Sequence, residues 1–585
     1  MRAAAAGVAF IVRRIWRVSP LRVLSSVTVT LLLAFVPALQ VYALAQLVER
    51  LDGDAGFADV APPLLLVVAV IGLGGPVRSV ATTLRTEAEH GVAAALTGDV
   101  MHRAAHTSPS DLARPETTAE LQKQQEIATE ASRSLFGGLV SGAEGVISTA
   151  AIVVAVATFS RLAGLLTVLA LIPALVAGRL LARVWSRYWD AAGPPFGRVR
   201  YLGNLLVRQR SAVELATLGA GPSVADDAAQ RWDEIRALRV ALSRRELRSD
   251  WLVGAVTTVF VLGALAALLT DTGYSPVAVA GITGITAGAA AVGMAGVHLG
   301  RLLSTGPQAA QLRDFLASAT PAADTGRAAP TQIDHLRVSG LTHTYPGRDS
   351  PAVTGVSVEA RRGEVIALVG ANGAGKTTAL RGLLGLLEVD RGTVTLDGVA
   401  PTDVGTSAWL QRFGTLVQEF ERYEFSIRRN LLLGAEGRTV ADEELWSALE
   451  LAGLAAFVRG LPDGLDAMLG EQWGGTALSG GQWQRLSLAR VAVRNAPVWV
   501  LDEATAAVDA ESEEAILGRL VADRARRITI LVSHRAWTLR DVDRIYVLDD
   551  GVVLEQGRFE DLLARGGHFA RLFRHQLGEH GLEGS

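Results

Sequence analysis

Gly363-Glu-Val-Ile-Ala-Leu-Val369 runs directly into Gly370-Ala371-Asn372-Gly373-Ala374-Gly375-Lys376-Thr377. The first stretch is short, apolar and rich in β-branched residues, which is the signature of a buried strand. The second fits G-x-x-x-x-G-K-[ST]. Its glycines let backbone N–H groups close around phosphate oxygens, and the helix that follows offers its positive N-terminal end. Lys376 is placed to reach the β- and γ-phosphates and Thr377 to bind Mg²⁺, with Thr378 next to the cradle. Only Lys123 and Lys376 are lysine among 56 basic residues. A compact ammonium fits such a loop where a forked guanidinium does not.

Downstream segments complete the chemistry. Val498-Trp-Val-Leu-Asp502-Glu503 reads as an apolar strand ending in two acids. A carboxylate at the C-terminal end of a parallel strand lies beside a phosphate loop. Asp502 suits a Mg²⁺ shell, and Glu503 suits an attacking water as base or orienter. Ile528–Val532 is a similar strand ending in Ser533-His534, where a histidine can contact the terminal phosphate. Taken in order, these segments spell out an ATPase. Leu478-Ser479-Gly480-Gly481-Gln482 opens a predicted helix and forms a second anion-binding N-terminus. One phosphate group does not need two cradles from one subunit, so the second is expected to close on ATP held by another copy.

Upstream the pattern changes. The chain has 585 residues, too many for one core, with 49% hydrophobic and 20% charged residues and a mean hydropathy of +0.29. Residues 1–320 hold six apolar stretches near bilayer length: Val23–Leu47, Val60–Val77, Val146–Phe159, Leu162–Ala177, Leu252–Thr270 and Val277–Val297. The basic residues Arg2, Arg13, Arg14, Arg17 and Arg22 precede the first. Glu49, Asp52, Asp54 and Asp59 follow it. By the positive-inside rule the N-terminus is cytoplasmic and the short acidic loops face outside. The two long charged loops are then cytoplasmic, and their ends are expected to be helical extensions of spans two to five. Glu144 falls in such an extension; a proton or substrate site is its sharper reading. Residues 321–332 are polar with two prolines and read as a linker, and residues 333–585 as the nucleotide-binding domain. The expected fold is thus an α-helical transmembrane domain with six spans followed by an α/β P-loop NTPase domain.

The formal net charge is −3, so nothing points to nucleic acid. There is no cysteine. That removes disulfides, thiolate metal sites, lipidated cysteines and any cysteine peptidase.

With these residues in place, the chain resembles an ABC transporter half-molecule of the exporter type. The resemblance implies further roles. Tyr345 resembles the aromatic residue that stacks on adenine. Gln418, in Leu-Val-Gln-Glu, resembles the glutamine that touches Mg²⁺ and faces the membrane domain. Ser479, Gly481 and Gln482 are similar to the signature that binds the partner's ATP. Asp509 resembles the aspartate that crosses the dimer, and His534 the switch histidine. Ser108–Thr118 and Ser211–Gly221 sit where the family has its coupling helices. Glu471-Gln-Trp-Gly-Gly-Thr-Ala, with Trp483-Gln-Arg beyond, resembles the branch containing lantibiotic and other peptide exporters. A peptide cavity needs polar lining, for which Thr28, Thr30, Gln40, Thr283 and Thr286 are the candidates.

The implied function is ATP-driven export across the cell membrane by alternating access, with a multi-pass domain in the bilayer and the nucleotide-binding domain in the cytoplasm. ATP and Mg²⁺ are the expected cofactors. Intact motifs favour a homodimer, with a heterodimer of two half-transporters left open. Multidrug or lipid export, lipid flipping, import by the same fold and an ATP-gated sensor or channel are the competing readings. A soluble translation or repair ATPase is opposed by the six apolar stretches.

Overall fold

The structure is a computed structural model describing residues 2–51, 56–112, 114–273, 277–318, 330–435, 437–502, 510–522 and 524–580. The chain divides into two compact units. One comprises Met1–Thr107 with Leu112–Thr320, and the other comprises Pro321–Ser585 with Ser108–Asp111.

The first unit is helical. Among the described residues, five helical stretches are long and apolar enough to cross a membrane by length and composition: Pro20–Leu51, Phe57–Ala105, Glu116–Ala157, Arg161–Gly178 and Gly221–Thr272. The sixth expected stretch lies in the helix Val277–Ala317, where Ala278–Gly293 is a shorter apolar segment. Among the described residues, five helices overrun a bilayer. Phe57–Ala105, Pro115–Ala157, Leu171–Val207, Gly221–Thr272 and Val277–Ala317 have 49, 43, 37, 52 and 41 residues, against the roughly 20 a span needs. The longest therefore reaches nearly 80 Å, at about 1.5 Å per residue.

Two expected spans are interrupted. The first divides into Pro20–Leu33 and Val36–Leu51, and the fourth into Arg161–Leu169 and Leu171–Val207. Leu33 and Leu169 each stand four residues before a proline, Pro37 and Pro173. A proline has no N–H for the carbonyl four residues back, and its ring crowds that carbonyl. Pro76 and Pro307 remain inside continuous helices.

Packing in this unit relies on small residues. A Cβ on Gly145 would lie 2.9 Å from the Cβ of Ala295, so helices Pro115–Ala157 and Val277–Ala317 approach closely at that point. Buried residues such as Ile152, Val156, Ala264, Leu268 and Ile285 form one core cluster. Leu65, Val68, Ile71, Leu252, Val259 and Leu262 are exposed instead. An apolar outer surface of this kind suits hydrocarbon rather than water. Glu144 forms an ion pair with Arg78 at 3.6 Å, tying helix Pro115–Ala157 to Phe57–Ala105.

The second unit contains two sheets. β1 (His335–His343), β2 (Val353–Arg361) and β4 (Arg391–Leu396) form an antiparallel sheet in the order β2-β1-β4. The larger sheet adds β3 (Val365–Val369), β5 (Phe413–Leu416), β6 (Val498–Asp502), β7 (Ile528–Val532), β8 (Arg544–Asp549) and β9 (Val552–Gly557). Its order is β5-β6-β7-β3-β8-β9, parallel throughout except for β9. Val365, Ala367 and Val369 pack into one core while Ile366 and Leu368 pack into the other. Both faces are covered, so the strand reads as an unbroken apolar run. The Tyr546 hydroxyl donates to the Glu359 carbonyl and accepts from the Glu359 N–H, both at 3.0 Å, joining the two sheets.

The last helix, His568–His580, buries Phe569 and Phe573. Its first turn is held by Glu555 on β9. Glu555 Oε2 accepts from the Phe569 N–H at 3.0 Å, and Oε1 accepts from the His568 N–H. Burial alone pushes the Glu555 carboxyl up, but these two N–H donors outweigh it and hold its pKa below the usual value. A depressed carboxylate contributes stability above its unfolded pKa of about 4.3 and loses it as pH falls through the folded value. Glu555→Gln is expected to cost about 1 kcal/mol at pH 7, as loss of a helix-end acceptor does. The deficit should shrink as the pH drops below about 4, where the wild-type carboxyl is itself protonated. Thermal midpoints of the two proteins at both pH values check this; an equal deficit at each refutes it.

Candidate functional site

The parallel sheet brings the sequence motifs to one end. β3 delivers residues 370–377, β7 delivers Ser533-His534 and β6 delivers Asp502, with β7 between the other two. Asp502 is in register with Val532 and is only 7% exposed. This end of the sheet is where an open α/β fold binds its ligand.

The cradle is built as its residues require. Gly375 has φ +95° and stands at the N-cap of helix Lys376–Leu383. A Cβ there would lie 2.8 Å from Val353 Cγ1, and on Gly370 it would meet the Leu548 carbonyl oxygen at 2.3 Å. Both contacts are closer than any side chain tolerates, so only glycine fits. Lys376 is 8% exposed. Its Nζ donates to the carbonyls of Gly370 at 2.8 Å and Ala371 at 2.9 Å. A phosphate entering the loop would take over these donors. Ala371, Asn372 and Gly373 are exposed along the loop and Ala374 is buried beneath it. Thr377 is exposed, whereas Thr378 is buried.

Thr378 is also the anchor for the aromatic residue. Its Oγ1 lies 3.3 Å from the Tyr345 hydroxyl. The Tyr345 ring stands perpendicular to that of His343 with centroids 4.8 Å apart. His343 is itself fixed, because its Nδ1 donates to the Glu388 carbonyl at 2.7 Å. Sequence reading gave no role to His343, although its position two residues before Tyr345 was the available signal.

The signature turn is self-contained. Ser479 is the N-cap of helix Gly480–Arg494. Its Oγ accepts from the Gln482 N–H at 3.2 Å, while Gln482 Oε1 accepts from the Ser479 N–H at 2.8 Å. This reciprocal capping box leaves the turn presented at a helix N-terminus. Ser479 is exposed and Gly481 partly so. Trp483 is buried in the core. The preceding Glu471–Trp473 is one turn of 3₁₀ helix. Trp473 is 70% exposed, and its Nε1 donates to Glu424 Oε2 at 2.9 Å; Gln472 donates to the same oxygen. Glu424 was missed in the sequence, since nothing local links positions so far apart.

The switch segment is held from outside. The His534 carbonyl accepts from Gln576 Nε2 and the Ala536 N–H donates to Gln576 Oε1, both at 2.8 Å. Ser533 Oγ accepts from the Arg535 N–H at 3.1 Å and from Thr538 Oγ1 at 2.6 Å. Gln418 lies exposed just beyond β5. Glu503 and Asp509 lie outside the described residues.

No group of three or more His, Cys, Asp or Glu poised for a metal occurs among the described residues. A nucleotide-borne Mg²⁺ needs few protein ligands, because phosphate and water oxygens complete its octahedron. Thr377 and Asp502 are hard oxygen donors at the right end of the sheet, so the residues fit such an ion.

Known proteins share this arrangement. Residues 353–506 match the ABC transporter family. The chain is 38% identical over 256 residues to an ATP-dependent lipid A-core flippase of Chromobacterium violaceum, covering 44% of this chain and 43% of the flippase. It is 37% identical over 257 residues to the flippase of Vibrio cholerae, covering 44% of each chain. These matches therefore span less than half the length of either relative. A bacterial Atm1-family ABC exporter with ATP bound superposes with a TM-score of 0.80 over 95% of this chain and 98% of that one, at 24% identity, a likeness of fold. Residues 353–506 thus carry the similarity to the ABC transporter family, and the chain as a whole has the fold of the Atm1-family exporter.

Proposed function

We propose that the chain is a half-transporter that hydrolyses ATP to move an apolar or amphiphilic molecule outward across the cell membrane. The observation that carries this reading is the junction of phosphate loop, acidic strand end and switch segment at one end of a sheet, in a chain that also carries an exporter-type set of apolar helices. Six spans, a cytoplasmic nucleotide-binding domain and a homodimer complete the proposal. Two copies clamp two ATP molecules between the cradle of one and the Ser479–Gln482 turn of the other. Asp509 of each copy crosses between them.

Within each site the roles follow the chemistry. The cradle and Lys376 bind the phosphates, Tyr345 stacks on the base, and Glu503 orients the attacking water. His534 contacts the terminal phosphate, and Gln418 links the site to the membrane domain. Mg²⁺, held through Thr377, Asp502 and Gln418, would supply neutralisation of phosphate charge when bound. Ser108–Thr118 and Ser211–Gly221 are the coupling segments in this reading, supported by the short helices Pro109–Leu112 and Gln209–Thr217 that begin in or beside them.

A lipid-like cargo is favoured over a peptide. The Thr283 hydroxyl bonds the Val279 carbonyl at 2.9 Å, and that of Thr286 bonds the Ile282 carbonyl at 3.0 Å. Both hydroxyls are therefore turned onto their own helix. Thr30 is buried. The Glu471–Trp483 stretch supports the peptide-exporter branch as a second reading. It lies in the ATP-binding domain and so speaks of ancestry rather than of cavity chemistry.

The purified protein in lipid nanodiscs is expected to show ATPase activity stimulated at least twofold by lipid or a hydrophobic dye. In sealed vesicles it should move a fluorescent lipid only when ATP is added. Stimulation by modified peptides alone would reverse the choice of cargo. Hydrolysis without vectorial movement of any of the three would favour the sensor or channel reading.

A further inference from the structure

Gln576 carries one feature that the ATPase motifs do not account for. Its side-chain amide forms two hydrogen bonds to the backbone of the switch segment. Nε2 donates to the His534 carbonyl and Oε1 accepts from the Ala536 N–H, each at 2.8 Å. A carboxamide is the one side-chain group with an adjacent donor and acceptor fixed in a plane. It can therefore bracket a residue, here Arg535, from both sides. The peptide that follows His534 is held by a group 42 residues further along the chain, and the peptide after Arg535 by the same group.

The base from which Gln576 reaches is rigid. Its helix, His568–His580, is anchored by Phe569 and Phe573 in the core and by Glu555 at its first turn. β7 fixes the other end of the segment, since Val532 is in register with Leu368 and Asp502. Between these two fixed points the amide ties the segment to the helix, beside the local bonds from the Arg535 N–H and Thr538 Oγ1 to Ser533 Oγ.

We infer that Gln576 is a positioning residue for His534: it holds the switch backbone so that the imidazole meets the terminal phosphate. The inference rests on the switch role proposed for His534. Because Gln576 touches the segment and not the nucleotide, its loss slows turnover without weakening ATP binding.

The test uses the full chain in nanodiscs. Gln576→Met keeps the side-chain volume and removes both hydrogen bonds. It should lower kcat about five- to fiftyfold, the range expected from losing two hydrogen bonds of ordinary net strength. KM for ATP and the thermal midpoint should stay close to wild type. Gln576→Glu keeps the acceptor for Ala536 and loses the donor for His534. It should also be slow, which covers the case in which the methionine variant does not fold. His534→Ala is measured alongside. If His534→Ala is slow and both Gln576 variants turn over at the wild-type rate, the inference is wrong. A fall in ATP affinity or midpoint matching the fall in kcat also overturns it, since Gln576 would then be only structural. If His534→Ala keeps full activity, the switch reading itself fails.

Discussion

Replacing Glu503 by glutamine is expected to leave ATP bound and to cut steady-state hydrolysis by roughly 10²–10⁴-fold. Glu503 follows Asp502, which ends β6 beside β7 at the ligand-binding end of the sheet. A carboxylate there can take or orient a proton of the attacking water, while an amide of the same size cannot act as a base. The charge lost is also one that repels phosphate, so nucleotide binding should hold or tighten. The variant should stay loaded with ATP, visible as radiolabelled nucleotide retained through gel filtration after incubation with ATP. Turnover within tenfold of wild type would remove Glu503 from the role of water-activating group.

Lys376→Ala should act at the preceding step. Its ammonium is buried and at present satisfied by the Gly370 and Ala371 carbonyls. Hydrogen bonds to charged groups are worth about 1.5–3 kcal/mol each. Losing the cation is therefore expected to weaken ATP binding about 10- to 100-fold and to abolish measurable turnover. Lys376→Arg should not restore it, because a planar fork has no room at an 8% exposed site within the loop. Binding of a fluorescent ATP analogue to each variant separates the two outcomes. Wild-type affinity in Lys376→Ala would show that the cradle's backbone donors suffice.

Much of the ATP-binding unit was legible because its chemistry is local. The phosphate loop, the acidic strand end and the signature turn are each contiguous runs, and their strands are apolar enough to be identified alone. The helical unit was legible in composition and less so in geometry. Val23–Leu47 reads as one apolar stretch, yet the helix stops at Leu33, a break that follows from Pro37 rather than from hydropathy. The segment around Glu144 was open to a proton-site reading; its ion pair with Arg78 depends on helix register that no single segment encodes. The partners of Trp473 and His534 were invisible for the same reason. Glu424 and Gln576 carry no motif and acquire meaning only when tertiary packing places them.

The strand order has a consequence for how the chain is made. β3, which carries the phosphate loop, is flanked by β7 and β8, and both neighbours lie near the end of the sequence. As the chain leaves the ribosome, Val365–Val369 emerges with both edges unpaired and stays so until residues 528–549 have been synthesised. Non-local pairing of this kind is slow, and an unpaired apolar strand is prone to aggregate. The nascent ATP-binding unit thus carries this strand exposed for most of its synthesis, and a chain truncated before residue 528 lacks the strand that joins β3 to β6.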